Sequence, residues 1–127
     1  KFIFMFIYIM VLLLKLTLYH ASWCGHCVTF LPEWQKLEKY VSDMGYKYNG
    51  VKIHLVSYDD KDLKNVGGGK INDTSIEGYP TIKFGLTLNK MKKEYEYSKE
   101  QKSNVIINYI KKVCDGMKRF TNKHKTG

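Results

Sequence analysis

Hydrophobic and polar positions divide the chain into stretches of different period. Residues 11–19 are almost continuously apolar, with Lys15 the one charge, which predicts a central strand buried on both faces. The period then changes. Cys27, Phe30, Leu31, Trp34, Leu37, Val41 and Met44 recur at helical spacing while Glu33, Lys36 and Lys39 fall on the other side, so a helix with one face on a sheet is expected. Val51, Ile53 and Leu55 alternate with Lys52 and His54, predicting a second strand over residues 51–58. Strand, helix, strand implies a parallel pair.

Residues 59–65 have room for a short helix, but Gly67, Gly68 and Gly69 lose too much backbone entropy to extend it, and an exposed loop is expected there. After Pro80, residues 81–86 and 91–97 read as a β-hairpin turning near Asn89. The last helix is expected to begin near Ser98, because Ser98 and Gln101 have capping-box spacing. Its apolar stripe is Ile106, Ile110, Val113, Cys114 and Met117. The expected fold class is α/β, a four-stranded mixed sheet flanked by helices.

A length of 127 residues suits one domain. The formal charge of +9 changes little: Arg119 is the sole arginine, and the lysines are scattered rather than interleaved with aromatics in a block. Bidentate phosphate and base recognition favours arginine, so no nucleic-acid partner is expected.

The ends are less regular. Residues 2–14 form an unbroken apolar run between Lys1 and Lys15, short for a membrane span of about 20 residues. It reads as an uncleaved signal anchor, as an extension of the first strand, or as sequence upstream of a start at Met5 or Met10. The expected organisation is an apolar extension over residues 1–10, one domain over 11–117 and a basic tail over 118–127.

Candidate chemistry centres on Cys24-Gly25-His26-Cys27. Residues i and i+3 are neighbours on a helix, so these two sulfurs can bond reversibly without backbone movement. Cys24, at the helix start, meets unpaired N–H groups and the positive dipole end, which favour a thiolate and make it the expected nucleophile. Cys27, one turn further in, is expected to resolve the mixed disulfide, and His26, when protonated, to stabilise the Cys24 thiolate. A structural bridge or a zinc site is the alternative, although no second Cys-x-x-Cys or His-x-x-His supplies four zinc ligands. Cys114 lies on an apolar stripe and is expected to be a buried, inert thiol.

Two stretches carry a family likeness. Tyr19-His20-Ala21-Ser22-Trp23-Cys24-Gly25-His26-Cys27, followed by Leu31-Pro32-Glu33-Trp34, resembles the catalytic domains of protein disulfide isomerases, and Ile76-Glu77-Gly78-Tyr79-Pro80-Thr81-Ile82-Lys83-Phe84 is similar to their cis-proline stretch. The resemblance implies a thioredoxin fold with a shortened or replaced N-terminal strand and helix. It implies disulfide formation or rearrangement in protein substrates, with a redox partner or glutathione, no bound cofactor and a monomeric state. Cys24, Cys27 and His26 would be catalytic, and Trp23, Gly25, Tyr79 and Pro80 would bind substrate, with Pro80 cis and the Tyr79 backbone offering hydrogen bonds. Pro32 would kink the first helix.

The sequence departs from the family at one point that matters. Where the family has a buried carboxylate six residues before the first cysteine, this chain has Leu18. The family's mobile arginine aligns only loosely, near Lys102. A secretory compartment such as the endoplasmic reticulum lumen is expected, with membrane attachment possible through residues 2–14. A thioredoxin-like reductase and a non-catalytic binding or chaperone module are the rival readings.

Overall fold

The computed structural model describes residues 11–65 and 76–124, so the extension over residues 1–10 and the expected glycine loop lie outside the described residues. From residue 12 the apolar run is strand β1 (Leu12–His20). Leu12, Leu14, Leu16 and Leu18 are buried on one face, whereas the other face buries only Thr17 and Tyr19 and leaves Lys15 exposed. Burial on both faces thus holds for the half of the strand next to the cysteines.

Helix α1 (Gly25–Asp43) connects β1 to strand β3 (Val51–Asp59), which pairs parallel with β1 as expected. Strand β4 (Thr81–Leu88) pairs antiparallel with the other edge of β1, and β5 (Met91–Glu96) pairs antiparallel with β4. Among the described residues the sheet has five strands rather than the expected four, in the order β2-β3-β1-β4-β5. The added strand is β2 (Lys47–Tyr48), antiparallel to β3. Its turn, Asn49-Gly50, has positive φ at both residues (50° and 79°), which is the two-residue hairpin that an Asn-Gly pair favours. Upstream, Gly45 at φ 75° ends α1, its N–H reaching Ser42 O at 2.9 Å.

A short helix α2 (Asp60–Asn65) follows β3. The last helix, α3 (Ser103–His124), starts later than the capping-box spacing suggests. Tyr97 explains the delay. Its ring is buried against Phe84 at 5.6 Å and its hydroxyl donates to Glu100 O at 2.6 Å, so the chain stays in a loop past Ser98. The helix start is satisfied from outside: the Ser103 N–H donates to Glu33 Oε1 at 2.8 Å, across from α1. At its other end α3 runs through most of the expected tail, and Thr121 is buried.

Phe30, Trp34, Leu37 and Val41 from α1 and Ile106, Ile110, Cys114 and Met117 from α3 pack with the leucines of β1 in one core. Phe84, fully buried, meets Tyr95, Tyr97 and Tyr109 at 5.8, 5.6 and 5.1 Å between ring centroids. Truncating it removes the centre of that group: Phe84→Ala is expected to cost about 3–5 kcal/mol in urea unfolding.

The Ser103 hydrogen bonds, followed by Lys36, hold the Glu33 carboxyl down at about 2, below its ordinary value near 4.5. A lowered carboxyl contributes stability that is complete above the ordinary value and is lost as pH falls through the folded value. Glu33→Gln should therefore melt below wild type at pH 6, with the gap in Tm closing as pH falls from 5 towards 2.

Candidate active site

The site is built where β1 hands over to α1. The Cys24 N–H closes a turn on Ala21 O at 3.1 Å, and Cys24 is the N-cap of the helix with extended backbone (φ −93°, ψ 116°). Its sulfur accepts the Cys27 N–H at 3.1 Å, taking the place that a serine or aspartate oxygen holds in an ordinary cap. On the other side the Cys24 thiol donates to Tyr79 O at 3.5 Å. The nucleophile expected at the start of the helix is thus fixed between a helix-terminal N–H and a carbonyl of the strap before β4.

Cys24, Cys27 and Ala21 form a small buried cluster apart from the main core, with Tyr79 packed against it. Both thiols are free. Cys24 retains 7% of its surface and Cys27 only 1%, so an incoming disulfide meets Cys24 first. Burial, then the hydrogen bond with Cys24, pushes the Cys27 thiol up to about 11, which keeps it protonated near neutral pH. The two sulfurs are therefore adjacent but unequal.

The other predicted positions are distributed around this pair. Gly25 opens the helix, exposed, and a Cβ there would touch nothing within 4 Å. His26 is exposed, and the Cys24 sulfur bonds to the Cys27 N–H and to Tyr79 O. Trp23 is 71% exposed and stands edge-on to Tyr79, with centroids 5.7 Å apart, so it is a surface residue beside the thiol and not part of the core. The Tyr79–Pro80 peptide is cis, as the resemblance implies. Pro32 lies inside α1. Lys102 is a surface residue paired with Glu100 at 3.3 Å, and Cys114 is fully buried, its thiol pushed up to about 12 by that burial.

Leu18 is fully buried between Ser57 of β3 and Ile82 of β4, so no carboxylate occupies that point of the core. Two carboxylates, Asp59 and Asp60, stand where β3 meets α2. Tyr79 OH donates to Asp60 Oδ1 at 2.8 Å, and burial followed by this bond pushes the phenol up to about 12. Asp59 approaches His20 Nδ1 at 3.8 Å. Gln101 donates to Pro80 O at 3.3 Å and pins the strap from the far side. Sequence reasoning passed over these three residues. Asp59 and Asp60 had a signal, because the ends of adjacent parallel strands converge on the same crevice. Gln101 had none, its contact depending on the loop held by Tyr97.

Residues 12–112 match the model of the thioredoxin family. The chain belongs to the thioredoxin family. Among its relatives, protein disulfide-isomerase A6 of Mus musculus is 36% identical over 73 residues, covering 57% of this chain and 14% of that protein. A protein disulfide-isomerase of Hordeum vulgare is 32% identical over 95 residues, 74% of this chain and 17% of the relative. The first thioredoxin domain of mouse protein disulfide-isomerase A4 superposes with a TM-score of 0.55 at 22% identity, over 80% of this chain and 63% of that structure. This thioredoxin domain thus spans less than a fifth of the curated relatives' length. Among the described residues no helix is long and apolar enough to cross a membrane, and residues 12–14 of the N-terminal apolar run belong to β1.

The inequality of the thiols is directly measurable. At pH 7 iodoacetamide should modify Cys24 at least about tenfold faster than Cys27, because the thiolate is the reacting form. Cys114 should stay unmodified until the protein unfolds, as followed by peptide mass spectrometry.

Proposed function

We propose that this chain is a thiol–disulfide oxidoreductase domain of the protein disulfide isomerase type, forming or rearranging disulfides in protein substrates. The observation that carries the reading is the Cys24 sulfur capping α1 through the Cys27 N–H. That N–H and the helix dipole favour negative charge on this sulfur, so Cys24 attacks or is attacked first. The substrate is then held as a mixed disulfide on Cys24. Cys27, one turn away, attacks Cys24 and releases the substrate thiolate, or a second substrate thiol takes the disulfide onward.

Trp23, Gly25, Tyr79 and Pro80 form the substrate-facing rim. The exposed Trp23 ring offers apolar contact, and the strap backbone at Tyr79 offers hydrogen bonds to an extended segment. His26 adds positive charge near Cys24 when protonated, which favours the dithiol and makes the disulfide the better oxidant. The dithiol itself carries the electrons, so the reaction uses no bound cofactor, and a redox partner or glutathione resets it. Residues 11–117 act as the domain, working in an oxidising secretory compartment such as the endoplasmic reticulum lumen. The likeness to protein disulfide isomerases supports the thiol–disulfide chemistry and the secretory setting of this reading.

A second reading, a binding module with little turnover, is favoured by one observation, the buried Leu18 where an acid would assist Cys27. Insulin reduction with glutathione, together with reactivation of a scrambled disulfide protein, separates the two. Wild type should be active in both assays and Cys24→Ser should fall to background. A wild type indistinguishable from Cys24→Ser would favour the binding module.

A further inference from the structure

Helices α1 and α3 cover the face of the sheet that carries Leu12, Leu14, Leu16 and Leu18, and alternation turns Leu13, Lys15, Thr17 and Tyr19 the other way. Register brings further cations onto that second face. Lys52 of β3 lies beside Leu13 and His54 beside Lys15, while Lys47 of β2 is directly opposite Lys52. Lys15, Lys47, Lys52 and His54 are all exposed. Asp59 is the one carboxylate of β1, β2 and β3, and alternation places it on the opposite face, at the far end of β3. Among the described residues none of the three lysines has a carboxylate within ion-pair reach.

Lysines so placed repel. Like charges directly across an antiparallel pair are destabilising, and Lys47 with Lys52 is one of the two residue pairs that hold β2. A second local cost stands beside it. Tyr46, 55% exposed, has φ 57°, a left-handed conformation unfavourable for a bulky side chain. Between these residues the surface is concave: a cavity of about 540 Å³ is lined by Leu13, Tyr46, Lys47, Lys52 and His54. Local costs of this kind gather where a surface is shaped for a ligand.

We propose that this hollow, with the neighbouring Lys15, docks an acidic, extended peptide segment of a partner protein. Adjacent strands lie about 4.8 Å apart and two residues of strand advance roughly 6.6 Å, so the cations form a strip rather than a point. An extended chain repeats the side chains of one face at the same spacing of roughly 6.6 Å and can set a carboxylate against each cation. Half-buried Leu13 then takes an apolar side chain between them. A single phosphate would call for converging donors, a task suited to the arginine fork, and Arg119 is on α3 instead. Leu13 precedes His20 by seven residues of β1, which puts the hollow roughly 23 Å from the end of the strand that leads to the cysteines. A partner docked there leaves Cys24 open to exchange. The inference goes beyond the disulfide-exchange reading and does not depend on it.

The test uses the full chain and a short fluorescein-labelled peptide with glutamate at alternate positions, followed by fluorescence anisotropy at low salt and pH 7. Saturable binding is expected, and it should be lost at about 0.5 M salt, where exposed charges are screened. Lys47→Glu combined with Lys52→Glu should weaken it at least about fivefold. Lys112→Glu combined with Lys123→Glu changes the net charge equally on the exposed side of α3 and should bind as wild type does. The same peptide with glutamine in place of glutamate should not bind. Lys47→Glu alone should weaken binding and yet raise Tm by about 1–3 °C, because an opposite pair replaces a like one. It carries the test if the double variant does not fold. Absence of saturable binding, equal loss in the two double variants, or a Lys47→Glu chain no more stable than wild type would overturn the proposal. So would a single-stranded RNA of equal charge that binds through the same lysines more tightly than the peptide, which would make this face a nucleic-acid surface.

Discussion

One hydrogen bond organises the site: the Cys27 N–H on the Cys24 sulfur, 3.1 Å long, at the first turn of α1. A helix leaves its first N–H groups without backbone partners, and here one of them finds the Cys24 sulfur where a cap would ordinarily present oxygen. The bond places Cys24 at the positive end of the dipole and Cys27 one turn inside, so a single contact makes two identical residues chemically different. Burial completes the difference by holding the Cys27 proton in place.

The rest of the fold keeps that contact in position. β1 is central in the sheet, and its four inward leucines anchor the strand whose end delivers the cysteines. Phe84 and its tyrosines fix β4 and the chain after β5, and Gln101 in that chain holds Pro80 O from behind. The strap that carries Tyr79 O to the Cys24 thiol is thus held by the aromatic group and by Asp60, the first residue of α2. Glu33 ties the two helices together by capping α3 from α1. Charge, by contrast, contributes little to this geometry, since the lysine-rich surface pairs mainly in exposed contacts such as Lys36–Glu33 and Lys39–Asp43.

Much of this was legible in the sequence because its period signals are strong. The helical stripe from Cys27 to Val41 and the hairpin around Asn89 both stand where the pattern puts them. Where the reading failed, a local pattern was overruled by a distant contact or a short signal was missed. Ser98 and Gln101 have capping spacing, yet the burial of Tyr97 against Phe84 holds the chain away from helix until Ser103. Strand β2 is two residues long, too short for alternation to reveal, although its Asn49-Gly50 turn was a readable cue. In the site, the cysteines announced themselves by spacing. The carboxylates of Asp59 and Asp60 did not, because their partners, His20 and the Tyr79 hydroxyl, are brought to them only by the folded sheet, in which β1 pairs parallel with β3.

The most direct test of the account is the redox equilibrium of the dithiol. The purified protein is equilibrated across glutathione ratios and the state of each cysteine is read by mass spectrometry after acid quench. A disulfide joining Cys24 to Cys27, half formed at about −180 mV and leaving Cys114 free, is the expected result. Two thiols that stay reduced at every ratio, or a midpoint near about −270 mV, would contradict it.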